Sequence, residues 1–153
     1  MKLTPFTETD FQGLYDFMKP LWLETYSPIL PEKQILFLLD KYFSEDGLKY
    51  YRGLGYQYFK IDDIGVLVYV IRDEDVYMDK LYLLPSARGK GYAAFAFDEM
   101  SKHGKPVTLS VNQANERAKK CYAKNGFVQI DAVAVDLGNG MVNYDYILQR
   151  KKK

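Results

Sequence analysis

Cysteine, histidine and tryptophan occur once each in this chain, as Cys121, His103 and Trp22. A lone cysteine excludes an internal disulfide, and a reducing, cytoplasmic setting is the expectation. A lone histidine cannot build a two-His zinc site, and no cysteine cluster stands ready to help it, so no metal is expected. Cys121 and His103 could in principle form a nucleophile pair. However, His103-Gly104-Lys105-Pro106 reads as a helix exit into a turn, and Cys121 lies in a helical pattern beside Ala118. A buried small hydrophobe is the commoner state of such a thiol, and no local pattern supports the pairing.

Long apolar runs are also missing. Nothing approaches the ~20 residues of a membrane-spanning helix. Met1 to Pro20 mixes acidic and apolar residues without a hydrophobic signal core, so no membrane partner is expected. Nor is there an excess of either charge: 21 Lys and Arg stand against 20 Asp and Glu. No overall field therefore draws the chain to nucleic acid. The closing Arg150-Lys151-Lys152-Lys153 run reads as a solvated tail.

What is present is an ordinary globular composition, 48% hydrophobic and 27% charged over 153 residues. That length suits one domain, residues 1–153, with a real core. No repeat or linker interrupts it. Lys2 to Phe6 suits a short strand, and Thr7 and Thr9 offer caps to a helix carrying Phe11, Leu14, Tyr15, Met18, Leu21 and Trp22. Tyr26-Ser27-Pro28 interrupts that helix, and Pro31, in a first turn, opens another with Ile35, Leu36, Leu38, Leu39 and Phe43. After Gly53 and Gly55, Tyr56–Ile61 and Val66–Ile71 form a hairpin about Asp62-Asp63.

A strand over Tyr77–Leu84, a helix over Gly91–Lys102, a strand over Val107–Val111 and a helix over Glu116–Asn125 follow, the last closed by Gly126. Phe127–Asp136 and Met141–Leu148 flank Gly138-Asn139-Gly140, whose Asn-Gly pair suits a tight hairpin. The order β-α-α-β-β-β-α-β-α-β-β predicts an α/β fold, a mixed sheet with helices on both faces. The late strands about Asn139-Gly140 could also pair two copies of the chain as a homodimer.

Two segments carry chemistry. In Leu81-Tyr82-Leu83-Leu84-Pro85-Ser86-Ala87-Arg88-Gly89-Lys90-Gly91-Tyr92-Ala93 a strand runs through a loop into a helix. Glycines let backbone approach a ligand closely, and the first amides of a helix point partial positive charge at an anion. Arg88 and Lys90 add full charges, so a pyrophosphate is the natural guest. A Walker A loop would need Ser or Thr after Gly-Lys, whereas Gly91 is followed by Tyr92; a dinucleotide fingerprint would need a third glycine where Ala94 stands.

The second segment runs from Leu109 to Phe127. At roughly 100° per residue, Asn115, Ala118 and Tyr122 fall within about 60° of one another. Ala118, Cys121 and Asn125 mark the neighbouring stripe, read as the buried side.

Together these segments resemble the GNAT family of N-acetyltransferases. Arg88, Gly91 and Ala93 match its cofactor signature Arg/Gln-x-x-Gly-x-Gly/Ala, behind the usual Leu-Tyr-hydrophobic-x-Pro strand. Asn115, Ala118, Tyr122, Gly126 and Phe127 match its later motif, Asn-x-x-Ala-x-x-x-Tyr-x-x-x-Gly-Phe. The resemblance implies a mostly antiparallel sheet of about seven strands, splayed between Leu81 and Leu109 to admit acetyl-CoA. Backbone near Leu81, Tyr82 and Leu83 would hold the pantetheine and acetyl carbonyl. Amides of Gly89, Lys90, Gly91, Tyr92 and Ala93 would take the pyrophosphate beside Arg88, and Asn115 would support the pantetheine arm.

In similar enzymes the tyrosine at the Tyr122 position protonates the leaving thiolate. Some relatives place a basic carboxylate where Asp79 stands; others use a Glu where this chain has Ser110, which cannot serve. Asp79 could equally be paired with Lys80 or Lys105, and Tyr77, on the same strand face, could line a water chain. The acceptor, a small-molecule amine or a protein or peptide amine, would meet Trp22, Glu24 and Tyr26 as well as Tyr77. A domain that binds CoA without catalysis, as a sensor, is the alternative.

Overall fold

The structure, a computed structural model, describes residues 1–138 and 140–152. Among these residues the order is β1 (Leu3–Pro5), α1 (Phe11–Tyr26), α2 (Glu32–Phe43), α3 (Glu45–Gly53), β2 (Tyr56–Ile61), β3 (Gly65–Ile71), β4 (Val76–Leu83), α4 (Tyr92–Ser101), β5 (Val107–Asn112), α5 (Glu116–Lys124), β6 (Phe127–Gly138) and β7 (Met141–Arg150). The strands hydrogen-bond in the order β1-β2-β3-β4-β5-β7-β6. Pairing is parallel between β4 and β5 and antiparallel between β1 and β2, β5 and β7, and β6 and β7. This is the mixed α/β sheet expected. By contact density the chain forms two compact units, residues 1–68 with 82–88 and residues 69–81 with 89–153.

In the N-terminal unit, the carboxylate of Asp10 accepts from both the backbone N–H and the hydroxyl of Thr7, fixing a short 3₁₀ turn ahead of α1. Helix α1 buries Leu14, Met18, Leu21 and Trp22, spaced four, three and one apart on one stripe. Helix α2 buries Ile35, Leu38, Leu39 and Phe43, with Pro31 as the residue before the helix rather than inside its first turn.

The expected order has no helix between Phe43 and Gly53, and the structure has α3 there. Ser44 caps it, accepting from the Gly47 amide at 3.1 Å. Gly47 itself is obligatory: a Cβ there would stand 2.3 Å from the carbonyl oxygen of Lys41. A glycine in the first turn lowers helix propensity, which hid the element from a periodicity reading.

In the C-terminal unit, β5 lies between β4 and β7. The β5–β7 ladder runs from Val107↔Arg150 to Asn112↔Asp145. The β4–β5 ladder covers Val76↔Val107, Tyr77↔Thr108 and Met78↔Leu109 and then stops, so Asp79 to Leu81 have no β5 partner among the described residues. That is the expected splay, opening at Asp79, two residues before Leu81.

Alternation puts Val76, Met78, Val107, Leu109, Val111 and Leu148 on one face, all buried. Helices α4 and α5 belong to that face: Arg150 binds Asp98 of α4 at 2.8 Å, and Lys119 of α5 stands over the Tyr146 ring. The opposite face carries Tyr77, Thr108, Ser110, Asn112, Asp145 and Gln149, marked by the Tyr77–Ser110 and Gln149–Thr108 hydrogen bonds. The β6–β7 ladder reaches Gly138↔Met141, as a hairpin requires. Asn139, half of the expected Asn-Gly turn, lies outside the described residues.

Candidate active site

The loop after β4 is built by its backbone. Pro85–Ala87 make one 3₁₀ turn, Arg88 is extended, and Gly89 and Gly91 take φ of +75° and +87°. L-residues with a side chain avoid that region, so these two glycines fix the path. Gly91 then stands as the N-cap of α4 without a side chain to accept from the first-turn amides, and no acidic residue sits in that turn. The first amides of α4 thus have neither an intrahelical acceptor nor a capping oxygen. Such an N-terminus, with Arg88 and Lys90 beside it in sequence, fits a diphosphate.

Helix α5 starts at Asn115, whose Oδ1 accepts from the Ala118 amide at 3.1 Å and caps the helix. Tyr122 packs edge-on against Phe97 and Phe127, with ring centroids 5.9 and 5.7 Å away. Gly126, at φ +88°, ends the element. The stripe Ala118, Cys121 and Asn125 is half-buried while Arg117, Lys120 and Lys124 are exposed, so it lies on the covered side as expected, although α5 has no fully buried residue. The ring contact that α5 makes with the core runs through Tyr122. Cys121 and His103 do not pair: the sulfur lies 3.8 Å from the Asn125 amide nitrogen, and the imidazole bonds the Tyr69 hydroxyl at 3.2 Å.

On β4, Asp79 forms an ion pair with Lys80 at 2.5 Å. Lys105 is engaged elsewhere, donating to the carbonyl of Arg72. The Tyr77 hydroxyl bonds Ser110 at 2.8 Å, and the Arg72 guanidinium lies over the Tyr77 ring at 4.7 Å. Ser110, dismissed as a base, is therefore the partner of Tyr77.

In the N-terminal unit, Trp22 sits at the centre of an aromatic cluster with Tyr26, Tyr42, Phe43 and Tyr82. Tyr26 and Tyr82 share a hydroxyl–hydroxyl bond of 2.5 Å. The indole N–H of Trp22 is buried without a hydrogen-bond partner. The structure brings Trp22, Tyr26 and Tyr82 together. Glu24, two positions from each of Trp22 and Tyr26, is exposed on another side of α1.

Residues 14–127 match the model of the acetyltransferase (GNAT) family, three quarters of the chain. The chain belongs to the GNAT family. It is 38% identical over 84 residues to uncharacterised N-acetyltransferases of Mycobacterium bovis and Mycobacterium tuberculosis, a match covering 52% of this chain and 53% of theirs. The chain thus spans about half the length of the curated relatives it matches. In fold it is similar to the PaiA N-acetyltransferase of Thermoplasma acidophilum in complex with coenzyme A, with TM-score 0.71, 23% identity and 99% of each chain covered. A spermidine N-acetyltransferase mutant from Vibrio cholerae gives TM-score 0.63 at 17% identity, over 99% of this chain and 95% of that one.

As a GNAT protein the chain has further groups that sequence reasoning passed over. Asp75 takes both Nε and a terminal nitrogen of Arg72 at 2.6 Å, which, ahead of the opposing effect of burial, holds its carboxyl below the usual range. Asp145 is buried on β7, and burial pushes its carboxyl up. No local motif marks Asp145; its place opposite Asn112 on the polar face distinguishes it. No described helix is long and apolar enough to cross a membrane.

Proposed function

We propose that this chain transfers an acetyl group from acetyl-CoA to a primary amine of a small molecule or of a protein or peptide. One observation carries the reading: two glycines at positive φ lead from Arg88 into an uncapped, acid-free first turn of α4. Amides of Gly89, Lys90, Gly91, Tyr92 and Ala93 would hold the diphosphate. Leu81, past the last β4–β5 pair, would offer backbone groups to the pantetheine arm with Tyr82 and Leu83. The Oδ1 of Asn115 is committed to its cap, which leaves Nδ2 for that arm.

When bound, acetyl-CoA supplies a thioester carbonyl open to attack and a thiolate leaving group. An amine attacks only when neutral, yet alkylamines near a pKa of ~10.4 are charged at neutral pH, so the site must take a proton from it. Asp79, or water ordered by the Tyr77 hydroxyl, is the proposed route; the Asp79–Lys80 pair holds the carboxylate in place. Tyr122 gives its phenolic proton to the departing sulfur, positioned by the rings of Phe97 and Phe127. Trp22 and Tyr26 are proposed to serve the acceptor side, with the buried indole N–H as a donor.

The test is thiol release from acetyl-CoA against amines and short peptides, beside calorimetry of CoA binding. Binding with acceptor-dependent release is expected. Binding without release to any acceptor would favour the sensor reading. No affinity for CoA in well-folded protein would end both.

A further inference from the structure

The N-terminal unit has a cleft of about 520 Å³, and none of the residues proposed for acetyl transfer lines it. Its walls come from β1, the start of α1 and the β2–β3 hairpin, and they include Phe6, Gly13, Phe17, Lys60 and Asp63. All of these belong to the N-terminal unit. The volume falls in the range of small-molecule sites. Phe6 and Phe17 are each half-buried, so ring surface stays open to a guest.

Two features of the cleft go beyond its shape. The first is Gly13, in the first turn of α1. Glycine weakens a helix relative to alanine, so a helical glycine calls for a reason. Gly47 has one in the carbonyl of Lys41, whereas a Cβ at Gly13 would meet no atom within 4 Å among the described residues. Nor does Gly13 take a positive φ. Neither backbone nor packing requires glycine there; what the missing side chain provides is open space in the cleft. Gly13 and Phe17, four apart, share a face of α1, so that space lies beside a ring.

The second feature is the Lys60–Asp63 pair, 2.9 Å apart, with side chains 44% and 91% exposed. The turn that carries it is fixed: Asp62, at φ +44°, donates its amide to the Lys2 carbonyl and accepts from the Lys2 amide, each at 2.9 Å. An exposed ion pair contributes little to stability. Among the described residues the pair still has ammonium protons and a carboxylate oxygen to offer. A plain anion on Lys60 would meet Asp63, and a plain cation on Asp63 would meet Lys60. A zwitterion laid antiparallel satisfies both, its carboxylate on Lys60 and its ammonium on Asp63.

We propose that this cleft binds a free α-amino acid with an apolar side chain. The head group sits on Lys60 and Asp63, and the side chain lies against Phe6 and Phe17 in the space that Gly13 leaves. The chain thus carries a second ligand site, built by the N-terminal unit alone and separate from the loop after Arg88. It stands or falls apart from the acetyl-transfer reading.

Calorimetry on the full chain compares L-phenylalanine with 2-phenylethylamine and 3-phenylpropanoate, which lack the carboxylate and the ammonium in turn. L-phenylalanine should bind about 10-fold or more tightly than either. Lys60→Gln should cut its preference over 2-phenylethylamine to within about 2-fold, while Lys49→Gln, at an exposed lysine of α3, should leave it intact. Gly13→Leu should weaken L-phenylalanine by roughly 30-fold without lowering the melting temperature, since leucine favours a helix. CoA affinity should be the same in every variant.

A wild type that takes up neither L-phenylalanine nor L-leucine at about 10 mM overturns the proposal, as does either analogue binding equally well. So does an unchanged preference in Lys60→Gln, a result that holds even where Gly13→Leu does not fold. Loss of CoA affinity in folded Gly13→Leu would make the cleft part of the cofactor site and overturn it as a separate one. Wild-type protein that binds L-phenylalanine but not CoA supports this site and removes the acetyl-transfer reading.

Discussion

The two compact units bury different kinds of surface. Every buried polar or charged residue described, Asp75, Lys80, Thr108 and Asp145, belongs to the C-terminal unit. The N-terminal unit instead packs Trp22, Phe43, Tyr58 and aliphatic side chains from α1, α2 and α3. Apolar packing stabilises without asking for a partner, while a polar group under cover needs one. The contrast teaches where to look for chemistry: the N-terminal unit is held by its core, and the C-terminal unit holds charges that packing alone does not explain.

The sharpest way to break the comparison is to disturb each unit where it should matter least to the other property. Phe43, fully buried among Trp22 and Tyr58, is an N-terminal core residue. Phe43→Ala should cost about 3–5 kcal/mol in denaturant unfolding. Under conditions where the variant is folded, its CoA affinity should equal that of wild type. A lost affinity in folded protein would show that the aromatic core also shapes the ligand site.

Tyr122→Phe is the converse. The ring contacts with Phe97 and Phe127 survive, so the loss in unfolding free energy should not exceed that of one hydrogen bond, about 1.5 kcal/mol. Turnover should drop on the order of 10²-fold with CoA affinity unchanged, the loss typical of removing a general acid. A variant as fast as wild type would remove Tyr122 from the chemistry.

Gly91→Ala is smaller. Holding a side chain at φ +87° costs roughly 1–2 kcal/mol, and the loop can relax only by moving the amides of α4. CoA affinity should fall about 10-fold by calorimetry, with unfolding affected by no more than the strain itself.

The same contrast explains what could be read in advance. The strands and both motif helices were legible because hydrophobic period, glycine and capping signals coincide there: Asn115 caps α5, and Gly126 closes it at positive φ. Helix α3 was hidden because Gly47, required by the close carbonyl of Lys41, weakens the local signal. In the site, the loop from Arg88 to Ala93 is local in sequence and its backbone follows from its glycines. The Tyr77–Ser110 bond and the exposed placement of Glu24 depend on register and helix face. Asp145 was invisible for the same reason: nothing within a few residues of it predicts burial, since that comes from its position in β7, between β5 and β6.

The smallest effects are also the most discriminating, because two acids of one unit should respond to pH in opposite directions. The Asp75 carboxyl is held down chiefly by its hydrogen bonds to Arg72. Its contribution to stability is therefore present above the carboxyl pKa of the unfolded chain and lost as pH falls through the lowered folded value. Asp75→Asn should cost about 1–2 kcal/mol at neutral pH, and the difference should shrink in acid.

Asp145 is pushed up by burial, so folding favours its protonated form. That advantage is complete below the unfolded pKa and lost as pH rises through the raised folded value, leaving a buried charge at neutral pH. Asp145→Asn should therefore raise the melting temperature by roughly 2–4 °C at neutral pH, about 1 kcal/mol for a chain of this size, with the gain vanishing in acid. Melting curves of both variants across the acid range would test the pair. Two variants that move together would mean that Asp145, like Asp75, is matched by a counter-charge in the folded protein.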